Sequence, residues 1–326
     1  MTELERHIRQ EIADAGPMTF ARFMELALYH PALGYYSRPR DPFGARGDYY
    51  TSSQLQPVFG RLLARKIAEW KTQLGEPPDF TVVELGGGRG ETARQIRACL
   101  PGVRYVEVEK GRGALPERIC GVVFSNEFFD ALPVHVVRWT ESGLLERCIG
   151  ENLLWVEAEP SSPMLEDYLQ RFAPSLEPGQ IIEVNVQALE WLERIARSLD
   201  HGFVLTIDYG YTTQETADAR RFPEGSLMSY QRHTASEDVL ATPGERDITA
   251  HVNFTALAQH GESLGLRAAP LRTQAQFLLS IGQPDEFRSA LEAPSEQEAQ
   301  RHRLQLKTLL FGMGETFRVL IQEKPK

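Results

Sequence analysis

One stretch of the chain, FTVVELGGGRG at residues 80–90, constrains the fold more than any other. Its apolar, β-branched first half is typical of a strand buried on both faces of a parallel sheet. Gly86, Gly88 and Gly90 follow, and their missing Cβ atoms let the backbone bend sharply and approach a ligand closely. The helix predicted over 91–100 leaves this turn. The pattern predicts a nucleotide-type cofactor site within an α/β fold.

The spacing of the glycines narrows the class of cofactor. A dinucleotide fingerprint needs a glycine at position 91, which is glutamate here, and no Gly-Lys-Ser/Thr follows to make a P-loop. Glu84, two residues before the first glycine, would lower the cost of binding the cationic sulfonium and ammonium groups of S-adenosylmethionine (SAM). Glu109, nineteen residues after Gly90, ends the next predicted strand and would accept hydrogen bonds from ribose hydroxyls. A glycine-rich turn alone is also consistent with no ligand, but the two acids favour SAM.

The composition restricts the class of protein. The 326 residues, 42% hydrophobic and 25% charged, allow one large domain or two smaller ones with a sizeable core. A formal net charge of −10 argues against nucleic-acid binding and suits a basic partner, such as an arginine or lysine side chain of another protein. The three cysteines are odd in number and far apart, so we expect neither disulfides nor a metal site, and we predict a reducing, cytoplasmic location. No apolar run is long enough to span a membrane.

The apolar pattern divides the chain into two regions. Residues 1–78 are predicted to form a helical N-terminal region with an active-site lid loop, and residues 79–326 a doubly wound core. Short alternating segments predict an antiparallel insertion at about 134–180, and a polar stretch predicts a long loop or cap at about 211–250. The other predicted elements are helices at 3–15, 19–29, 56–73, 188–199 and 254–264, an amphipathic stretch at about 284–310, and strands at 103–109, 121–125, 202–208, 266–273 and 316–322.

A second motif, SNEFFDALP at residues 125–133, follows another predicted strand. Ligands bind at the carboxyl ends of strands in doubly wound sheets, so Asn126, Glu127 and Asp130 are predicted to lie where a methyl group is transferred. Carboxylates there would balance the charge of an amine or guanidinium nucleophile and help to remove its proton. The alternative interpretation is a loop with helix-capping acids and two core phenylalanines. Asp208, after a later strand, either supplies a further substrate-side carboxylate or caps the following turn.

A polar aromatic loop, GDYYTSS at residues 47–53, is the candidate lid. It would give hydroxyls to the cofactor carboxylate and aromatic faces to the sulfonium. Half-buried packing tyrosines are the alternative interpretation of the same residues.

Taken together, these motifs resemble those of a known family, the MidA-like SAM-dependent methyltransferases, whose mitochondrial members are complex I assembly factors. The blocks GDYYTSS, VVELGGGRG, SNEFFDALPV, LTIDYGY and FGMGETFRVL stand in the family's order, and the resemblance runs from about residue 17 to 320. It implies a Rossmann-like class I methyltransferase sheet with a helical N-terminal region and inserted antiparallel and cap elements. It also implies N-methylation of a protein arginine by in-line methyl transfer.

The motifs and the resemblance together assign residues to the site. The residues assigned to the cofactor and the lid are Glu84, Gly86, Gly88, Gly90, Glu109, Asn126, Gly47, Asp48 and Thr51. Those assigned to the acceptor side are Asn126, Glu127 and Asp130. The chain departs from the family in Ser53-Gln54, where Pro-Glu is usual, and in Gly87, where proline is usual. Two other interpretations therefore remain open: a SAM-binding assembly factor with little or no turnover, and a methyltransferase of small molecules.

Overall fold

The structure, a computed structural model, describes residues 1–38, 48, 52, 56–173, 175–216, 222 and 224–326. The chain forms two compact units, each built from three segments of the sequence. Unit 1 comprises Met1–Tyr49, Asp130–Glu190 and Tyr211–Ala256, and unit 2 comprises Tyr50–Phe129, Trp191–Gly210 and Leu257–Lys326. The predicted N-terminal region is thus divided between the units, and both predicted insertions lie within unit 1.

The first two helices begin after threonines, which suit helix N-termini. The hydroxyls of Thr2 and Thr19 accept hydrogen bonds from the N–H groups of Glu5 and Arg22 at 3.1 and 3.2 Å, which stabilises the first turns of two helices. The α-helices are α1 (Glu3–Ala15), α2 (Phe20–Tyr29), α3 (Val58–Gln73), α4 (Glu91–Cys99), α5 (Pro163–Phe172), α6 (Val186–Ser198), α7 (Thr213–Thr216), α8 (Phe254–Ser263), α9 (Gln274–Ile281), α10 (Pro284–Ser289), α11 (Glu296–Lys307) and α12 (Met313–Thr316), with a π-helical turn at Thr308–Gly312.

The strands of the described residues fall into three sheets. They are β1 (Met18–Thr19), β2 (Thr81–Leu85), β3 (Arg104–Val108), β4 (Ile119–Asn126), β5 (His135–Thr140), β6 (Gly143–Ile149), β7 (Trp155–Ala158), β8 (Ile181–Val184), β9 (Leu199–Tyr211), β10 (Met228–Gln231), β11 (Thr234–Ser236), β12 (Asp247–Thr249), β13 (Val252–Asn253), β14 (Arg267–Ala268), β15 (Arg272–Thr273) and β16 (Phe317–Lys324).

The sheet of unit 2 has a doubly wound arrangement with the order β14-β16-β9-β4-β2-β3. Strands β3, β2, β4 and β9 are parallel, and β16 is antiparallel to β9. The chain passes from β2 to β3 on one side and then crosses to β4 on the other, so the strand order reverses at β2. The carboxyl ends of β2 and β4 flank this switch point, where such sheets bind ligands. The Rossmann-like fold predicted from the sequence is confirmed.

Apolar side chains of α3 cover one face of this sheet. Phe59 and Leu62 of α3 belong to the same buried cluster as Phe124 of β4. Trp70, one turn from the end of α3, stacks on Phe203 of β9 with ring centroids 4.7 Å apart. Burying a side chain of this kind stabilises the fold by about 1.5–3 kcal/mol. This packing holds the sheet that carries the site in place.

Unit 1 contains two antiparallel sheets. The first has the order β1-β6-β5-β8, with β7 paired to β6, and the second has the order β11-β10-β12. Buried side chains of α1 and α2, including Ile8 and Phe23, pack in one cluster with Val136 of β5 and Ile149 of β6. The antiparallel insertion and the helical N-terminal region predicted from the sequence are therefore confirmed.

Three segments differ from the predictions. The strand predicted over 266–273 is divided into β14 and β15, because Pro270 has no N–H to continue the ladder. The polar stretch predicted as a loop or cap contains β10, β11 and β12. The amphipathic stretch at 284–310 contains α10 and α11, which Pro294 separates. Within the described residues, no helix combines the length and the apolar character that a membrane crossing requires.

Candidate active site

The loop between β2 and α4 adopts left-handed backbone conformations that favour glycine. The φ angles of Gly86, Gly88 and Gly90 are +69°, +55° and +70°. The Gly86 N–H donates to the carbonyl of Val108 at 2.9 Å, which fastens the start of the loop to β3. A Cβ atom at Gly86 would lie 2.9 Å from Cδ2 of Phe128, so glycine is required there for space as well as for conformation.

Glu109 follows β3 directly and lies against this glycine loop. Its Oε1 accepts a hydrogen bond from the Gly88 N–H at 2.8 Å, and its side chain is 26% exposed. Burial raises the pKa of Glu109 above its ordinary value, and the Gly88 N–H opposes that shift. A carboxylate offers about four acceptor positions, so this bond leaves Glu109 able to accept from the hydroxyls of a ribose.

Glu84 lies on β2 beneath the glycine loop and is 3% exposed. The Tyr105 hydroxyl donates to its Oε2 at 2.7 Å. Burial raises the pKa of Glu84 from 4.5 to about 7; the nearby Glu107 and Glu109 add to the shift, and the Tyr105 hydrogen bond opposes it. A Cβ atom at Gly87 would lie 2.9 Å from the same Oε2. The carboxyl group of Glu84 therefore supports the loop from below.

Asn126 and Glu127 lie at the end of β4. Glu127 has a φ of +57°, in the left-handed region that residues with a Cβ seldom adopt. The Asn126 Nδ2 donates to Glu127 Oε1 at 2.8 Å, and the Ser52 N–H donates to the same oxygen at 3.4 Å. These contacts orient the Glu127 carboxylate, while the backbone of the same residue is held in the left-handed conformation.

The register of the sheet brings these groups together. Leu85 of β2 is the cross-strand partner of Val108 of β3 on one side and of Ser125 of β4 on the other. The three strands therefore end side by side. The residues brought to this edge by adjacent strand ends are Glu84, Gly86, Gly88, Gly90, Glu109, Asn126 and Glu127.

Two contributors to the site are not predicted individually by the sequence. Tyr105 contacts Glu84 across the sheet, and only the register of β2 against β3 discloses that pair. Ser52 is fully buried, and its hydroxyl lies 3.2 Å from Oε1 of the buried Gln274. The one signal for Ser52 was its position in the predicted lid.

Two of the remaining predicted residues belong to unit 1, and two lie outside the described residues. Asp48 belongs to unit 1, where its buried carboxylate accepts from the Tyr35 hydroxyl at 2.8 Å and from the Arg232 N–H at 2.6 Å. Asp130 also belongs to unit 1; it is buried, and its carbonyl accepts from the Ala250 N–H at 3.0 Å. Gly47 and Thr51 lie outside the described residues.

Comparisons with known proteins agree with a cofactor site of this kind. Residues 102–271, which are 170 of the 326, match a family model described as "Putative S-adenosyl-L-methionine-dependent methyltransferase". The human protein arginine methyltransferase NDUFAF7, mitochondrial, is 28% identical, with 97% of this chain and 82% of that protein covered. The Drosophila melanogaster homolog is 28% identical, with 80% of this chain and 70% of that protein covered.

Solved structures extend the comparison. A Burkholderia thailandensis crystal structure with S-adenosyl-homocysteine bound has a TM-score of 0.87 and 30% identity, covering 98% of this chain and 91% of that one. A native crystal structure from the same organism has a TM-score of 0.83 and 29% identity, with 98% and 91% covered. SAM is therefore the cofactor, as predicted. The cytoplasmic location predicted from the cysteines is wrong, because the curated relatives are named as mitochondrial proteins.

Proposed function

Because the chain belongs to this family of SAM-dependent methyltransferases, we propose that its acceptor is an arginine side chain of a protein. The observation that carries the proposal is Glu127, a carboxylate held at the end of β4 next to the glycine loop. A carboxylate suits a guanidinium, which carries a positive charge and presents several N–H donors. The net charge of −10 and the names of the curated relatives point to the same class of acceptor.

The residues of the loop fit the cofactor. Three glycines without Cβ atoms leave their backbone accessible, and Glu109, fixed by the Gly88 N–H, would accept from the ribose. Burial raises the pKa of Glu84 to about 7, so its ionised form would place negative charge under the loop, and a bound cation would favour that form. SAM supplies an electrophilic methyl group attached to a positively charged sulfur.

Glu127 would act on the acceptor in two ways. Its carboxylate would hold the guanidinium by charge-assisted hydrogen bonds, which aims one nitrogen along the line of transfer. It would also accept the proton that this nitrogen loses as the new N–C bond forms. Asn126, hydrogen-bonded to Glu127, would keep the carboxylate in one orientation. Asp130, three residues further along the chain, is the second carboxylate that we propose for the acceptor side.

Isotope labelling tests the proposal. The protein is incubated with methyl-deuterated SAM and an extract of source cells that lack this chain, and digested proteins are searched by mass spectrometry. We expect labelled methylarginine in specific peptides. Label confined to small molecules would instead identify a small-molecule methyltransferase, and cofactor binding by calorimetry without any transfer would identify a binding protein that assists assembly.

A matched pair of variants tests the role of Glu127. Glu127→Gln keeps the shape of the side chain but removes its charge, so we expect labelling to fall by about 100-fold or more, the range for loss of a general base. Glu69→Gln, on the exposed face of α3, should leave labelling unchanged. Equal labelling by both variants would remove Glu127 from the proposed mechanism.

A further inference from the structure

We infer that Asp208 is a positioning residue, which holds the turn at 127–129 and so sets the direction of the Glu127 carboxylate. The inference rests on the proposed role of Glu127, and it differs from both roles that the sequence left open for Asp208, a substrate-side carboxylate and a cap of the turn that follows it. It depends on three features of unit 2: the hydrogen bonds of Asp208, the backbone conformation of Glu127, and the complete burial of the Asp208 carboxylate.

The hydrogen bonds of Asp208 lead to the turn that follows β4. Its Oδ2 accepts from the N–H groups of Phe128 and Phe129 at 3.2 and 3.0 Å. Its Oδ1 accepts from the N–H of Tyr209 at 3.0 Å. Two successive backbone N–H groups aimed at one carboxylate oxygen form an anion-binding turn, and bonds to a charged acceptor are stronger than neutral ones.

Glu127 needs such support. Left-handed backbone at a residue with a Cβ persists only where the surrounding structure enforces it. The Glu127 N–H donates to the carbonyl of Ile207 at 3.0 Å. Ile207 precedes Asp208 on β9, so two consecutive residues of one buried strand fasten three consecutive N–H groups, those of Glu127, Phe128 and Phe129.

The burial of Asp208 argues against direct contact between its carboxylate and the acceptor. Asp208 has no exposed surface, and both of its oxygens already accept backbone hydrogen bonds. A buried carboxylate is costly unless it is hydrogen-bonded in this way. Asp208 would therefore act through Glu127 and not on a substrate.

Hydrogen exchange on the unaltered protein provides the first test. We expect the amides of Phe128 and Phe129 to exchange at least about 100-fold more slowly than those of an unstructured peptide, because their N–H groups donate to the buried Asp208 carboxylate. This measurement needs neither cofactor nor acceptor, so it stands even if the proposed function fails. Exchange of these two amides at unprotected rates would overturn the inference.

Asp208→Asn provides the second test, with Asp200→Asn as the matched control. Asp200 lies at the other end of β9, where it pairs with the exposed Arg118. The asparagine at 208 keeps the shape but replaces one acceptor oxygen by a donor. We expect protection of Phe128 and Phe129 to fall about tenfold in Asp208→Asn alone, while Val122 and Val123 of β4 keep theirs. Equal protection in both variants would contradict the inference.

Trp191 offers a spectroscopic reporter of the same turn. Its ring meets the Phe128 ring edge-to-face, with centroids 5.2 Å apart. In protein labelled with 5-fluorotryptophan, we expect the ¹⁹F resonance of Trp191 to shift in Asp208→Asn and to stay in place in Asp200→Asn. The other three tryptophans report whether the fold is intact. An unmoved Trp191 resonance would count against displacement of the turn.

A double-mutant comparison connects the turn to turnover. In the labelling assay, Asp208→Asn should lower transfer about tenfold or more in the background with Glu127 and produce no further loss in the Glu127→Gln background, because both changes disable one carboxylate. Independent, multiplying losses would show that Asp208 acts on stability and not on Glu127.

Discussion

Glu127 occupies a left-handed conformation that costs a residue with a Cβ about 1–2 kcal/mol. Glu76 has almost the same φ, +54° against +57°, but it lies in the turn after α3 with an exposed side chain. At Glu76 this conformation ends a helix, and at Glu127 it directs a carboxylate next to the glycine loop. Of these two residues, we expect only Glu127 to use the strained backbone in catalysis, because it sets the direction of the carboxylate.

A comparison of glycine with alanine measures that strain. Both Glu127→Gly and Glu127→Ala remove the carboxylate, but only alanine retains the Cβ that opposes positive φ. We expect Glu127→Gly to be more stable than Glu127→Ala by about 0.5–1 kcal/mol, the strain less the extra entropy of unfolded glycine. Urea unfolding measures the difference. At Glu69, inside α3, the order should reverse by about 1 kcal/mol.

The pH dependence of stability tests the burial of Glu84. Its pKa is raised from 4.5 to about 7 in the folded protein, so between these pH values the folded state holds a proton that the unfolded state has lost. The Glu84 contribution to stability is therefore present below pH 4.5 and is lost as the pH rises through 7, by on the order of 3 kcal/mol.

Replacing Glu84 with glutamine isolates this effect. In Glu84→Gln the side chain cannot ionise but still accepts from the Tyr105 hydroxyl. The stability of this variant should therefore not show the decline between pH 4.5 and 7 that Glu84 causes. Urea unfolding at several pH values compares it with the unaltered protein and with Glu69→Gln. Parallel curves for all three proteins would show that Glu84 is ionised throughout that range.

At this scale the sequence predicted positions that depend on spacing along the chain, and the roles of these residues in cofactor binding stay predictions. Glu84 and Glu109 stand at fixed distances from the glycines, and β3 does bring Glu109 to the Gly88 N–H. Tyr105 and Ser52 have no such signal, because their contacts depend on cross-strand register and on the folding of a loop. Periodicity identifies which face of a strand is buried but not which polar group it meets there.

Among the elements, the glycine loop between β2 and α4 limits what the site tolerates. Gly86 and Gly102 both have positive φ, +69° and +80°. A Cβ at Gly86 would lie 2.9 Å from the Phe128 ring, whereas a Cβ at Gly102 would meet no atom of the described residues within 4 Å. Substitutions at the two positions therefore distinguish the effect of backbone strain from the effect of a steric clash.

Calorimetry with S-adenosyl-homocysteine distinguishes the two effects. Gly86→Ala and Gly102→Ala should each lose about 1 kcal/mol of stability from strain. Only Gly86→Ala should also weaken binding, by about tenfold or more, because the loop must shift away from Phe128. Equal affinity in both variants would mean that the loop adapts without effect on the cofactor.

The hairpin of β10 and β11 shows why one element escaped prediction. Its two turn residues, Arg232 and His233, have φ angles of +50° and +61°, the conformation of a type I′ turn. Such turns are recognised in sequences by Asn-Gly or Asp-Gly, and neither is present here. The contact of the Arg232 N–H with Asp48, which lies far away in the sequence, supports this turn in place of favourable local residues.

For the whole molecule, elements that follow one another along the chain are not always part of the same unit. The parallel strands and the glycine loop were predictable because each is a local pattern. The division into two units was not, because each unit takes three separate segments and a buried face does not specify its partner. The residues proposed for the cofactor from Glu84 to Asn126 belong to unit 2, whereas Asp48, assigned to the lid, belongs to unit 1.

That location gives a prediction for thermal unfolding. A ligand that binds only the folded protein stabilises it by about 2.7 kcal/mol at a concentration 100 times its dissociation constant. We expect S-adenosyl-homocysteine to raise the unfolding temperature of the transition that includes unit 2, as measured by scanning calorimetry. In Glu109→Ala, which lacks the carboxylate held by Gly88, the shift should be much smaller. A full shift in that variant would remove Glu109 from the cofactor site.

The pairing of β16 with β9 also has a consequence for synthesis. Residues 202–209 of β9 pair with residues 317–324, so more than a hundred residues are translated after β9 before its partner emerges. During that interval one side of a long apolar strand presents unpaired N–H and C=O groups, which are a template for pairing with other chains. The nascent protein should therefore depend on chaperones until β16 leaves the ribosome.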